Sequence, residues 1–228
     1  MKPVHRQRAA LCDLLESLTD EQWQAETMCD GWDAGDIAAH LLVREREPWA
    51  AGGILIKPLA SLTESRMRSR TRDGRAAMIA DLRKGPPPWF AYGPLARAQV
   101  AEDYIHTEDV RRGGAAALTP RLEPDDGTGD EIIADILWES VSRFAVLTFG
   151  RVRADGVLAL TDGSTSRAYT LGGKIAHRAG DARPDETVTV HGPVGDLLLY
   201  TTGRVGARVS AEGPQHLIDA IEASHQRV

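Results

Sequence analysis

Through its first 150 residues the chain keeps returning to one pattern, apolar residues at helical spacing punctuated by capping residues, prolines and glycines, and after Gly150 that pattern stops. A period of 3.6 residues buries a stripe only when the segment is helical and packs on other helices, so this part of the chain is committed to helix-on-helix architecture. Leu11, Leu14, Leu15 and Leu18 share one face and predict a helix over residues 3–18. Thr19 or Asp20 can cap a short helical turn after it. Cys29-Asp30-Gly31-Trp32-Asp33 reads as a turn whose last residue caps a second helix, with Asp36 adding negative charge to its first turn and Pro48 stopping it near Arg46. Residues 62–84 read as helix interrupted near Asp73-Gly74 and ended by Gly85-Pro86-Pro87-Pro88. Pro94 suits the first turn of a helix running to Arg112, and residues 115–128 read as loop. Ile133, Ile136, Leu137, Ser140, Phe144 and Leu147 predict a long helix from Asp130 to Phe149. The economical packing for residues 1–150 is a four-helix bundle.

Residues 151–228 read differently. Val157–Leu160 and Ser166–Leu171 flank a Thr161-Asp162-Gly163-Ser164 turn as a hairpin, and Val188–Val190 reads as another strand. A short apolar helix follows over 194–202, then a last strand over 207–211 and a helix over 214–225. The fold class expected is therefore a helical domain, 1–150, followed by a small α+β domain, 151–228.

The net charge of -6 gives no electrostatic footprint for a nucleic acid or an anionic membrane. Arg66, Arg68, Arg70, Arg72 and Arg75 stand close together, but a two-residue spacing spreads charge around a helix, which reads as a solvated face. No apolar run approaches the roughly 18 residues that span a bilayer, and the N-terminus lacks the apolar core of a secretory signal. These features place the protein in the cytoplasm. The two cysteines, Cys12 and Cys29, are then thiols, too few for a disulfide framework or a cysteine-based zinc site.

Glu102 and His106 lie four residues apart on the helix from Pro94, so both project from one face, and Asp109 continues the line. Leu95, Ala98 and Ile105 mark that face as inward, where polar groups are costly unless paired. A divalent metal ion, zinc by the chemistry of the donors, is the simplest partner, with His40 on the second helix as third ligand. Bundles build metal sites in this way, and two histidines with one carboxylate leave a coordination position open. The same residues also admit a plain hydrogen-bonded cluster. Of the other histidines, His5 and His225 lie near the termini, while His177, His191 and His216 have no carboxylate at helical spacing.

Cys29-Asp30-Gly31-Trp32 with Asp36-Ile37-Ala38-Ala39-His40-Leu41 resembles the first-ligand motif of the N-terminal domain of mycothiol-dependent maleylpyruvate isomerases and their DinB-like relatives. Glu102-Asp103-Tyr104-Ile105-His106 resembles the segment carrying that family's second and third ligands. Val43-Arg44-Glu45-Arg46 and Glu108-Asp109-Val110-Arg111-Arg112 are similar to an actinobacterial subfamily, and Gly192-Pro193, Asp196-Leu197-Leu198-Leu199 and Gly203-Arg204 to the family's C-terminal domain. Two departures stand out: Thr107 where close relatives have a second His, and Gln99-Val100 where they have Asn-Thr.

The resemblance implies a DinB-like bundle holding metal on His40, Glu102 and His106. It implies mycothiol as thiol cosubstrate, activated as a thiolate that attacks a small electrophile in isomerase or thiol-transferase chemistry. Asp109 or Asp36 would orient a ligand histidine, and Arg44 and Arg204 are the candidate cations for a carboxylated substrate. Two alternatives use the same three ligands: a hydrolase acting through metal-bound water, and a non-catalytic metal-binding protein. Monomer and dimer are equally compatible with the sequence.

Overall fold

Some helices start where a short polar side chain satisfies the free N–H groups of the first turn, and others start on a proline or after a glycine without such a cap. In the computed structural model, which describes residues 2–47, 49, 60–113, 122–172 and 184–225, helix α1 spans Pro3–Ser17, α2 Asp20–Gln24, α3 Ala34–Arg46, α4 Ala60–Thr71, α5 Arg75–Arg83 and α6 Gly93–Arg112. Thr19 and Gln22 close a reciprocal capping box on α2, and Asp33 and Asp36 close another on α3. The turn into α3 passes through Gly31 at φ 72°, a conformation that glycine adopts without Cβ strain. Gly74, at φ 85°, separates α4 from α5 at the interruption read from the sequence.

The first unit comprises Met1–Pro124. Helix α1 packs on α5 and α6, and α3 packs on α4 and α5. The apolar stripes meet in one core that includes Leu11, Leu15, Ile37, Leu41, Met78, Leu82 and Val110. Burying side chains of this kind contributes roughly 1.5–3 kcal/mol each. The remaining edge, between α3 and α6, is different: the two helices meet there through polar side chains, and the candidate site lies in that seam.

Most of the Arg-rich segment is spent on structure. Arg66 and Arg70 grip the buried Glu47, at 2.6 and 2.8 Å. Arg75 donates to the carbonyls of Leu15, Glu16 and Leu18, closing the C-terminus of α1, and lies over the ring of Trp23.

The second unit, Asp125–Val228, begins earlier than the expected boundary at residue 151. Helix α7 (Glu131–Phe149), expected as part of the bundle, packs instead on α8 (Val194–Thr201), α9 (Gln215–His225) and strand β2 (Ser166–Thr170). Its polar anchors agree: Trp138 Nε1 donates to Asp162 at 3.0 Å, and Ser142 receives the Tyr169 hydroxyl at 3.0 Å. An apolar stripe fixes that a helix is buried, not what buries it. Strand β1 (Val157–Thr161) forms the expected antiparallel hairpin with β2, pairs in parallel with β3 (Thr187–His191), and β3 pairs antiparallel with β4 (Ser210–Glu212). The sheet order is β2-β1-β3-β4. No helix among the described residues is long and apolar enough to cross a membrane.

Candidate metal centre

Helix α3 carries His40 one turn beyond Ile37, and α6 carries Glu102 and His106 one turn apart. These three are brought together across the seam. His40 Nε2 lies 3.4 Å from Glu102 Oε1, and His106 Nε2 lies 3.5 Å from the same oxygen. One donor atom from each residue fits within a sphere where all are within 4.8 Å of one another. Ligand atoms about 2.1 Å from a tetrahedral zinc stand roughly 3.4 Å apart along each edge, so two of the three edges already have the length that an ion requires. Both imidazoles are buried, at 8% and 7% side-chain exposure, whereas Glu102 keeps 22%. The cluster is therefore walled by its histidines and reached from the carboxylate side.

The supports around it are specific. His40 stands against the Trp32 ring, centroids 5.1 Å apart, and against His106 edge-on at 5.1 Å. His106 Nδ1 lies 2.9 Å from Asp109 Oδ2, a fully buried carboxylate that also accepts from the Cys29 thiol at 3.1 Å. The Met28 N–H donates to the Asp109 carbonyl, tying the turn before α3 to α6. Cys29, His106 and Asp109 make a second three-donor group, but their separations are those of hydrogen bonds, shorter than ligand edges, and the group reads as a support for the ring. Asp36 has no such role: its carboxylate is engaged by the N-terminus of α3, at 3.3 Å from the Asp33 N–H.

Electrostatics follow from this packing. Burial disfavours the imidazolium of His40 and holds its pKa below the ordinary histidine value despite the neighbouring Glu102. Burial acts the same way on His106, but bonds to Asp109, Cys29 and Glu102 outweigh it and raise that ring well above the ordinary value. For Glu102 burial would push the carboxyl up, and the two histidines and Arg44 overcome it, holding it well below the usual carboxylate range. Without an ion, this packing favours the protonated form of His106, between two carboxylates, and the neutral form of His40. Cys12, by contrast, is in the core, where burial pushes its thiol up to about 11.

Arg44, one turn beyond His40, reaches the same seam. Its Nε stands 3.5 Å from Glu102 Oε1, its Nη1 donates to Gln99 Oε1 at 2.6 Å, and Cζ lies 5.4 Å from the centre of the Phe90 ring. Arg204 belongs to the second unit, where its guanidinium donates to the Thr202 carbonyl. Of the marks used to orient α6, Ile105 is buried but Leu95 is half exposed, because it sits in the first turn, before α6 enters the core. Thr107 is buried and donates to the Asp103 carbonyl, away from the donor cluster. Among the described residues His5, His191, His216 and His225 join no donor group, and His177 lies outside those residues.

Beneath the cluster lies a polar network that the sequence reading did not find. Arg8, only 2% exposed, donates to both carboxylate oxygens of Glu45 and both of Asp103, and Gln99 donates to the same two residues. A signal was present: Arg8 occupies a position in phase with Val4, Leu11 and Leu15, where a charge survives only if something buried answers it. In the second unit a hollow of about 450 Å³ lies at the ends of β1 and β3, lined by Asp126, Asp162, Ser164 and His191. Asp162 there is consumed by its own turn and by Trp138.

A helical unit with a half-open two-histidine, one-carboxylate cluster on facing helices, followed in the chain by a small α+β unit, defines a class of two-unit proteins whose first unit carries a candidate metal centre. Within that class, residues 4–111 of the first unit match the family described as the Mycothiol maleylpyruvate isomerase N-terminal domain. The fold is similar to the crystal structure of the mycothiol-dependent maleylpyruvate isomerase, at 16% identity over 93% of this chain and 92% of that one, with a TM-score of 0.55. A histidine-to-alanine mutant of that isomerase is similar at 14% identity, the same coverage and a TM-score of 0.53. At these identities the likeness establishes the fold. No curated protein sequence matches the chain significantly.

Proposed function

We propose that this chain is a metal-dependent, mycothiol-using enzyme of the isomerase or thiol-transferase type, acting on a small electrophilic molecule in the cytoplasm. His40, Glu102 and His106 are its ligands, and zinc suits their nitrogen and oxygen donors. The observation that carries the reading is the spacing of these donors, 3.4 and 3.5 Å about one partly exposed oxygen, in a domain of the mycothiol family. A zinc ion held there supplies the positive charge that favours a thiolate over a thiol at neutral pH.

The protein's residues prepare that chemistry. Asp109 accepts the Nδ1 proton of His106, which fixes the ring and turns the Nε2 lone pair toward the cluster. Burial keeps His40 neutral and able to donate its own lone pair. The low pKa of Glu102 keeps it ionised. Arg44 beside Glu102 is the proposed cation for a charged group on the electrophile.

The test is reconstitution of untagged protein with zinc, followed by metal analysis and a calorimetric titration with mycothiol. Wild type is expected to hold about one zinc per chain and to bind mycothiol only when loaded, and His40→Ala is expected to hold none. An empty wild type removes the metal centre. A loaded protein that ignores mycothiol removes the thiol chemistry.

A further inference from the structure

We propose that Gln99 is a positioning residue that fixes the Arg44 guanidinium as an oxyanion-binding edge beside the donor cluster, an inference that rests on the thiol-activating reading above. Gln99 is fully buried, and a side-chain amide has two ends of opposite polarity. Its Nε2 donates to Glu45 Oε1 and to Asp103 Oδ1, each at 2.8 Å. Those buried carboxylates decide the orientation of the amide, because the flipped form would set Oε1 against two acceptors. Both carboxylates are in turn held by Arg8 from α1. Oε1 is thereby directed at Arg44, whose Nη1 donates to it at 2.6 Å.

Two consequences follow for Arg44. A neutral acceptor orients the guanidinium without cancelling its charge, which a carboxylate at this position would do. Gln99 also holds Arg44 back from Glu102: Nε stays 3.5 Å from Oε1, and the bidentate pair that an arginine and a carboxylate would otherwise form is not made. Nη2 has no partner among the described residues, and the side chain keeps 20% of its surface exposed. A guanidinium held at one end, charged and uncommitted at the other, is suited to a carboxylate or similar oxyanion on a molecule brought to the cluster.

The test uses cobalt-loaded protein kept free of oxygen, titrated with mercaptoacetate and, separately, with 2-mercaptoethanol, and read by the thiolate-to-cobalt absorption band. Both probes offer the metal a sulfur, and only mercaptoacetate adds a carboxylate. Direct chelation by that carboxylate is common to every variant and cancels in the comparison. The preference for mercaptoacetate is expected to fall about tenfold or more in both Arg44→Met and Gln99→Met, while the mercaptoethanol affinity is retained. Gln99→Asn, which withdraws the amide by one methylene, gives the same expected result and serves if Gln99→Met does not fold. A preference that falls with Arg44 but not with Gln99 overturns the positioning role, and one that falls with neither overturns the anion edge as well. If neither thiol produces the band in wild type, the failure belongs to the underlying thiol reading, and the inference falls with it.

Discussion

Replacing Arg8 with methionine removes the one cation that, among the described residues, bonds both Glu45 and Asp103, two carboxylates with no access to water. Arg8 makes four charge-assisted hydrogen bonds, two to Glu45 and two to Asp103, and both acceptors are 0% exposed. In the variant, the Gln99 amide is the one remaining donor among the described residues that these carboxylates share. Breaking a buried pair from one side costs about 3–5 kcal/mol, a large share of the roughly 5–15 kcal/mol that stabilises a domain. The corresponding fall in melting temperature is roughly 10–20 °C. Four of the five tryptophans, Trp23, Trp32, Trp49 and Trp89, precede Pro124, so urea unfolding followed by fluorescence in a Trp138→Phe background reports the first unit. The penalty has a pH signature. Burial already pushes the Glu45 carboxyl up, and without Arg8 it rises further, so the loss is full above that raised value and shrinks as pH falls through it. Adding Glu45→Leu and Asp103→Leu to the variant is expected to restore much of the stability, since an apolar replacement of the whole network leaves no unanswered charge. A loss under about 1 kcal/mol, or one that does not shrink in acid, would refute the account.

Zinc binding at pH 7 is expected to release about one proton per chain, because His106, raised well above its ordinary pKa, carries a proton on the nitrogen the ion would occupy; calorimetry in buffers of different ionisation enthalpy counts it, and zero refutes the assignment. The metal-free first unit should lose stability as pH rises through the raised His106 value, the His106 contribution being complete below about 6.5, and zinc should abolish that dependence; thermal melts across pH measure both. Asp109→Asn, which leaves the three donors in place, should weaken zinc about 10–100-fold in a chelator competition, and unchanged affinity would show that the ring needs no such support. Gly127→Ala should destabilise the second unit, since Gly127 has φ 76° and an added Cβ would meet Leu137 Cδ1 at 2.7 Å and the Gly195 backbone at 3.2 Å; an unshifted melt contradicts the packing.

The sequence made the local elements and the donor residues legible for a physical reason: caps, prolines and apolar periods act over a few residues, and so does the Glu102–His106 spacing. His40 was legible because its neighbours Ile37 and Leu41 mark the phase of α3. The destination of α7 was not, since a buried stripe carries no address. Parallel pairing of β1 with β3 was equally silent, because short alternating strands look alike in either direction. Leu95 misled as a marker of the inward face, since a helix can carry its apolar line beyond the end of the core. The Arg8 network was the larger omission. A charge in phase with leucines on α1 is visible, but its answers, Glu45 and Asp103, lie on two other helices and no short-range rule joins them.

The seam between α3 and α6 has a consequence for how the protein would fare in a cell. Helices α1, α3, α4 and α5 share a hydrocarbon core, which needs nothing from outside, whereas this edge is closed by hydrogen bonds among groups that water also satisfies. An ion on His40, Glu102 and His106 would act as a strut across it, so metal occupancy and resistance to local opening become one quantity. Abundance of the protein would then track metal supply through turnover by proteases, before any change in catalysis is felt.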